Sequence, residues 1–232
     1  MEKSQLHILP GTKPVQKKPF HERRWVKLSL MVVSVIMKIR PIRRYIDNTC
    51  AGMKGLISRC LREKNYEEAL SIAHAGMRKS RQDSDRMLAQ YDWWNFMYYA
   101  VCCAEELGSV DEREKLLSIA ESGFEPFQGF YAACTFCFFS RWMYEVKNYD
   151  AAIEYARRAI NADGKLAEAD FLLGWYALFL DQQDPTEHFR SAIMKDNTYL
   201  AKIVHEPALN EQFPHLIDQL RNLSVVRNND KP

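Results

Sequence analysis

Four of the six cysteines are the residues whose spacing comes nearest to chemistry. Cys134 and Cys137 stand in the run CTFC, one turn apart on one face of any helix that contains them, and Cys102-Cys103 forms an adjacent pair. Thiolates so placed could hold zinc or exchange disulfides. Structural zinc usually takes its CxxC pairs from turns, however, and a cysteine among aromatic residues on a helix is ordinarily a small buried hydrophobe. A cysteine-based metal or redox protein is therefore an alternative and not the first choice. Nothing else converges. There is no P-loop and no dinucleotide glycine motif, and His205-Glu206 is not followed by the second histidine of a helical zinc motif. The expectation is a non-enzyme, with no catalytic residue, metal ligand or cofactor assigned. Reduced thiols on helices fit a cytoplasmic setting better than a secreted disulfide scaffold.

The second chemical feature is charge. Residues 1–46 carry eleven Lys or Arg against Glu2 and Glu22, a net of +9 that leaves −7 for the remainder of a chain whose total is +2. Within this leader, 23–44 reads RRWVKLSLMVVSVIMKIRPIRR. Its apolar run, Leu28 to Met37, falls well short of the roughly 20 residues a spanning helix needs. It lacks the cleavage pattern of a secretory signal. Trp25, Leu28, Val32, Val35, Ile36 and Ile39 recur at helical spacing, so 23–46 is expected to be a basic amphipathic helix. It either packs onto the folded body or lies on an anionic membrane surface, with Arg23, Arg24, Trp25, Lys27, Lys38, Arg40, Arg43 and Arg44 in contact with lipid. The first is preferred, and the second would place the protein peripherally at a membrane. Nucleic-acid binding is disfavoured because no recognised module accompanies the basic patch. Residues 1–22, with Pro10, Gly11, Pro14 and Pro19 among lysines, are expected to form a flexible basic arm.

The elements that must position any site are helices. Nine glycines and nine prolines are few for 232 residues, and long stretches lack both, which points to an all-α fold. One phrase is written twice: KNYEEALSIAHAGM at 64–77 and KNYDAAIEYARRAI at 147–160. Each copy puts small residues on one helical face, Ala69, Ala73 and Gly76 in the first and Ala152, Ala156 and Ala159 in the second, where another helix can approach closely. The following text, KLAEADFLLGWYALFLDQ, continues with a further small or apolar stripe around Gly174 and Ala177.

Units of 34 residues with this pattern resemble the tetratricopeptide repeat family, whose unit is a pair of antiparallel helices. Laid on that frame, Phe136, Phe139, Ser140, Met143, Ala152, Ala156 and Ala159 take the key positions of unit 133–166. Met53, Leu56, Ile57, Cys60, Ala69, Ala73 and Gly76 do so in unit 50–83. Units 94–127 and 167–200 are more divergent, the last with Thr186 and Ile193 where small alanines are usual. The resemblance implies an α-solenoid over 47–223, closed by a C-terminal cap of short helical pieces at 201–223 broken at Pro207 and Pro214, with a frayed tail at 224–232. Residues 84–93 are expected to extend the second unit's first helix by two turns behind a cap at Asp83 or Ser84, and 124–132 to form a lengthened connection.

The resemblance further implies a concave groove lined by the first helix of each unit. It assigns Lys54, Tyr98, Arg141, Tyr144, Glu168, Phe171, Trp175 and Phe179 to a partner-binding face. The lysine and asparagine clamp of chaperone-binding members is not expected, since Ser58 stands where the asparagine would be. What is expected is an adaptor or scaffold that holds a peptide or helix of another protein on aromatic anchors. Helix 25–39 of the same chain is a competing occupant. The alternative functions are a membrane-associated assembly factor anchored by the basic helix, and the cysteine protein above.

Overall fold

Lys64 and Lys147, the first residues of the duplicated phrase, hold φ of 57° and 62°. This is the left-handed region, which a non-glycine residue enters at a cost of about 1 kcal/mol. The conformation closes one helix. The Lys64 N–H donates to the Leu61 carbonyl at 3.2 Å and the Asn65 N–H to Cys60 at 2.8 Å, and those of Lys147 and Asn148 reach Tyr144 and Met143 at 3.0 and 2.8 Å. These paired bonds satisfy carbonyls that a helix end leaves open. Each asparagine then starts the next helix: its side-chain oxygen accepts from the N–H of Glu68 or of Ala151, both at 3.3 Å. One dipeptide therefore ends a helix and caps its successor.

Gly108-Ser109 makes the same turn. Gly108 has φ of 61°, the Gly108 and Ser109 N–H groups bond Glu105 and Ala104 at 3.1 and 3.3 Å, and the Ser109 hydroxyl oxygen accepts from the Glu112 N–H at 3.3 Å. The same geometry is written with different residues, which is why the middle copy escapes a comparison of letters. Lys147→Gly should accordingly raise stability by about 0.5–1 kcal/mol, and Gly108→Lys should lower it by a similar amount. Opposite shifts in the thermal unfolding midpoint are the expected readout.

The computed structural model describes residues 49–83, 85–123, 128–180 and 184–220, and among them there are helices and no strands. They are α1 (Cys50–Arg62), α2 (Tyr66–Ser80), α3 (Arg86–Leu107), α4 (Val110–Glu121), α5 (Phe130–Glu145), α6 (Tyr149–Ala162), α7 (Ala167–Phe179), α8 (Thr186–Lys195), α9 (Thr198–Val204) and α10 (Pro207–Gln212), followed by helical turns over 214–220. Helices pack on their neighbours in chain order, α1 on α2, α2 on α3, α5 on α6, α6 on α7 and α7 on α8. The first members of successive pairs also touch: α1 with α3, α3 with α5, and α5 with α7. The basic arm and helix expected over 1–46, and the tail 224–232, lie outside the described residues.

Small residues decide how close the helices come. Ala69 and Ala73 are fully buried, and a methyl group built on Gly76 would stand 2.5 Å from the Phe96 ring, so α2 and α3 meet where there is room for hydrogen alone. Ala152, Ala156 and Ala159 are fully buried on α6. In the last pair the large residue lies on the second helix. Gly174 of α7 receives Phe189 of α8, whose ring carbons would lie 2.8 Å from an added methyl. Ala192 and Ile193 are buried beside Phe189, while Thr186 merely opens α8. A different small-to-large pairing thus replaces the expected alanine face there.

A buried polar knot ties three helices together. The Ser140 hydroxyl on α5 donates to the Ala152 carbonyl on α6 at 2.7 Å and accepts from the Tyr176 hydroxyl on α7 at 2.9 Å. Burial pushes the Tyr176 phenol up to about 12, so it remains a donor at any physiological pH.

Some boundaries differ from expectation. The α3 cap is Asp85, not Asp83 or Ser84: Asp85 Oδ1 accepts from the Met87 and Leu88 N–H groups at 3.0 and 3.1 Å, and Asp83 instead takes the Asp85 N–H at 3.1 Å. Carboxylates two apart compete for the same orphan donors, and Asp85 has the extended backbone of a cap. Helix α5 begins at Phe130, inside the expected connection. It is fixed by the Gly129 N–H, which donates to the Ala162 carbonyl at the end of α6 at 2.8 Å. Pro207 takes the first turn of α10, a position where its missing N–H costs nothing, and 214–220 opens on Pro214 in the same way.

Candidate functional site

The first helices of successive pairs present one aromatic face. On α3 and α5, Tyr98 packs on Tyr131 with ring centroids 5.6 Å apart and on Phe138 at 6.4 Å, and Tyr91 meets Tyr131 edge-on at 5.8 Å. The Arg141 guanidinium then lies 4.4 Å from the centre of the Phe138 ring and donates from Nη1 to Glu168 Oε1 at 3.0 Å, carrying the face from α5 to α7. On α7, Phe171 contacts Trp175 at 5.9 Å and Tyr199 of α9 at 5.3 Å, and Trp175 contacts Phe179 at 4.6 Å. Tyr144 stacks on Tyr176 at 5.0 Å with an interplanar angle of 16°.

This face contains a pocket of about 390 Å³ between α5, α7 and the segment after α8. Arg141 and Tyr144 form one wall, Phe171 and Trp175 the other, and Lys202 and Glu206 the rim. Four of the eight residues assigned from sequence converge there. The other four do not. Glu168 is held by Arg141 and faces a smaller recess with Asp163, Asp196 and Tyr199. Phe179 supports Trp175. Tyr98 belongs to the aromatic cluster on α3 and α5. Lys54 forms an ion pair with the buried Asp92 of α3, clamping α1 to α3. The eight proposed membrane-contact residues, Arg23 to Arg44, lie outside the described residues.

Lys202 and Glu206 were missed because they belong to the cap, which no repeat position addresses. Only the fold of α9 back onto α7, through Phe171 and Tyr199, brings them to the rim. Tyr131, Phe138 and Tyr199 were missed as well. Their signal was present as helical spacing, since Tyr131, Phe138 and Arg141 recur at seven and three on α5.

The cysteines behave as hydrophobes. Cys103, Cys134 and Cys137 are buried and Cys102 is half-buried. Burial pushes the Cys102 thiol up to about 11, those of Cys103 and Cys134 up to about 12, and that of Cys137 well above its ordinary value. All four are protonated at neutral pH, which works against both metal ligation and thiolate exchange. Across the α3–α5 contact Cys102 is one of the groups that push the Cys134 thiol up. Among the described residues no group of three His, Cys, Asp or Glu side chains is placed to hold a metal ion. Among the same residues no helix is long and apolar enough to cross a membrane.

Among the described residues these features define an all-helical fold in which α3, α5 and α7 share an aromatic face that contains a pocket. No family model, no curated protein and no solved structure matches the chain.

Proposed function

We propose that this chain is a non-catalytic adaptor, built as a tetratricopeptide-like α-solenoid, that holds a segment of another protein along the aromatic face of its first helices. The recurrence of one turn at 64–65, 108–109 and 147–148 supports the repeat architecture. So does the side-by-side packing of α1, α3, α5 and α7. The observation that carries the function is the pocket where Arg141, Tyr144, Phe171 and Trp175 meet. Its walls carry large rings that lose little side-chain freedom on binding, and Arg141, Lys202, Glu145 and Glu206 around them can orient a polar backbone. A cytoplasmic setting belongs to the same reading.

The test is affinity capture with the wild-type chain and with a Tyr144→Ala, Trp175→Ala variant, whose folding is checked by thermal unfolding. Aromatic anchors in such a pocket contribute about 2 kcal/mol each, so each truncation should weaken binding roughly thirtyfold. Proteins captured by the wild type should vanish from the variant. Recovery of the same set by both would rule out this face.

A further inference from the structure

A second recess, of about 400 Å³, lies between α2 and α4, the second helices of two successive pairs, and takes no part in the aromatic face. Its walls follow from helical spacing. Ser71, His74, Arg78 and Arg81 recur at three and four along α2 and its C-cap, and Lys115, Ile119 and Ser122 do so along α4 and its C-cap. Met77 and Trp93 form the floor.

The charges in this recess are one-sided. Its only carboxylate neighbour among the described ion pairs is Glu112, which is engaged by His74 and by Lys115 at 3.3 Å. Arg78 and Arg81 have no carboxylate partner among the described residues, and Arg81 instead lies 5.8 Å from the Trp93 ring centre. Three cations from two helices therefore face one opening, in a body whose net charge outside the leader is −7. Glu112, already shared between His74 and Lys115, is a single acid against three cations, so a net repulsion remains, and a multiply charged anion is the ligand that reverses its sign. A carboxylate would satisfy one of the three. A phosphate dianion offers three acceptor oxygens, and a volume of about 400 Å³ leaves room for the body that bears it.

We propose that the recess between α2 and α4 binds a phosphomonoester on a compact polar body, with Arg78, Arg81 and Lys115 taking the phosphate charge and the Ser71 hydroxyl adding a neutral donor. The ligand is either a free molecule or a lipid headgroup of the same chemistry. His74 is a built-in reporter. Its burial lowers the imidazole pKa, with Lys115 and Arg78 acting in the same direction and Glu112 opposing them. A dianion beside those cations offsets their effect, and by linkage the His74 pKa must rise when the site fills.

The full chain is titrated with inorganic phosphate, with inositol trisphosphate, and with phosphatidylcholine vesicles carrying the corresponding inositol lipid. Binding is followed by calorimetry or flotation and, for the soluble probes, by the His74 ring resonances. Wild type should bind inositol trisphosphate saturably with an upward shift of the His74 titration. Arg78→Ala, Lys115→Ala should lose at least about tenfold in affinity per cation removed. Arg157→Ala, Lys165→Ala, which removes the same charge from exposed positions elsewhere, should bind as the wild type does. The vesicle arm separates the sources: binding there that the recess variant loses indicates the lipid headgroup as the natural form. The proposal is overturned by three results: no saturable binding of any probe, equal loss in the control variant, or binding that leaves His74 unmoved. Inositol trisphosphate binding retained by the recess variant also overturns it, because the recess would then not be the contact. Should the double variant unfold, Arg78→Gln alone carries the comparison.

Discussion

Gly76→Leu is expected to abolish cooperative folding at 25 °C, and Gly76→Ala to cost about 1–3 kcal/mol in chemical unfolding. A methyl group on Gly76 would lie 2.5–2.6 Å from three atoms of the Phe96 ring, and that ring is fully buried. Alanine would otherwise favour the helix by up to about 1 kcal/mol, so a net loss measures the overlap and not the backbone. A leucine adds three more carbons to the same space, and the total approaches the 5–15 kcal/mol that holds a typical domain together. Phe96→Leu should partly rescue Gly76→Ala. Strict additivity of the two changes would show that α2 and α3 do not meet as described. The functional consequence is direct: α2 sets the position of α3, and α3 carries Tyr98 and the Asp92 clamp on Lys54.

The second large effect lies at Trp142, which fastens α4 to the rest of the chain. Its indole Nε1 donates to Glu105 Oε2 of α3 at 2.7 Å, and the same oxygen accepts from Arg113 Nη2 of α4 at 2.8 Å. Arg113 Nη1 then reaches Glu145 of α5 at 2.7 Å, and the guanidinium sits 5.2 Å from the Trp142 ring centre. Trp142 is 2% exposed, so Trp142→Ala removes a buried indole at a cost of about 3–5 kcal/mol and also strips the carboxylate and guanidinium of their common partner. Trp142→Phe keeps most of the area and should cost about 1.5–3 kcal/mol, the worth of one hydrogen bond to a charged acceptor. Urea unfolding of both variants measures the difference. Equal loss in the two would mean that the hydrogen bond to Glu105, and not burial, dominates. Faster amide exchange confined to α4 in the phenylalanine variant would show which helix the contact holds.

Much of the helical organisation was legible because it is local. The Lys-Asn dipeptide announces a helix end and a helix start within two residues, and the alanine faces of α2 and α6 follow from spacing along one helix. The extension of α3 was legible too, since 84–93 contains no breaker. Its cap was not, because Asp83 and Asp85 are equally good capping residues by type, and only the folded hydrogen bonds show that Asp85 takes the helix N–H groups. The candidate pocket was half legible. The resemblance to tetratricopeptide repeats assigned Arg141, Tyr144, Phe171 and Trp175 to one groove, whereas Lys202 and Glu206 arrive through a chain reversal that no period contains.

The sequence by itself therefore determined that the chain is helical, where its helices turn, and which faces are small or aromatic, since these depend on residues within a few positions of one another. The tertiary structure decided which assigned residues work together. It withdrew Lys54 and Glu168 into ion pairs with Asp92 and Arg141, buried Cys103, Cys134 and Cys137 with their thiol pKa values raised, and set Arg78, Arg81 and Lys115 around one recess. Each of those outcomes joins side chains from different helices, and the free energy of such a contact depends on distance and desolvation across an interface that spacing along a single helix does not encode.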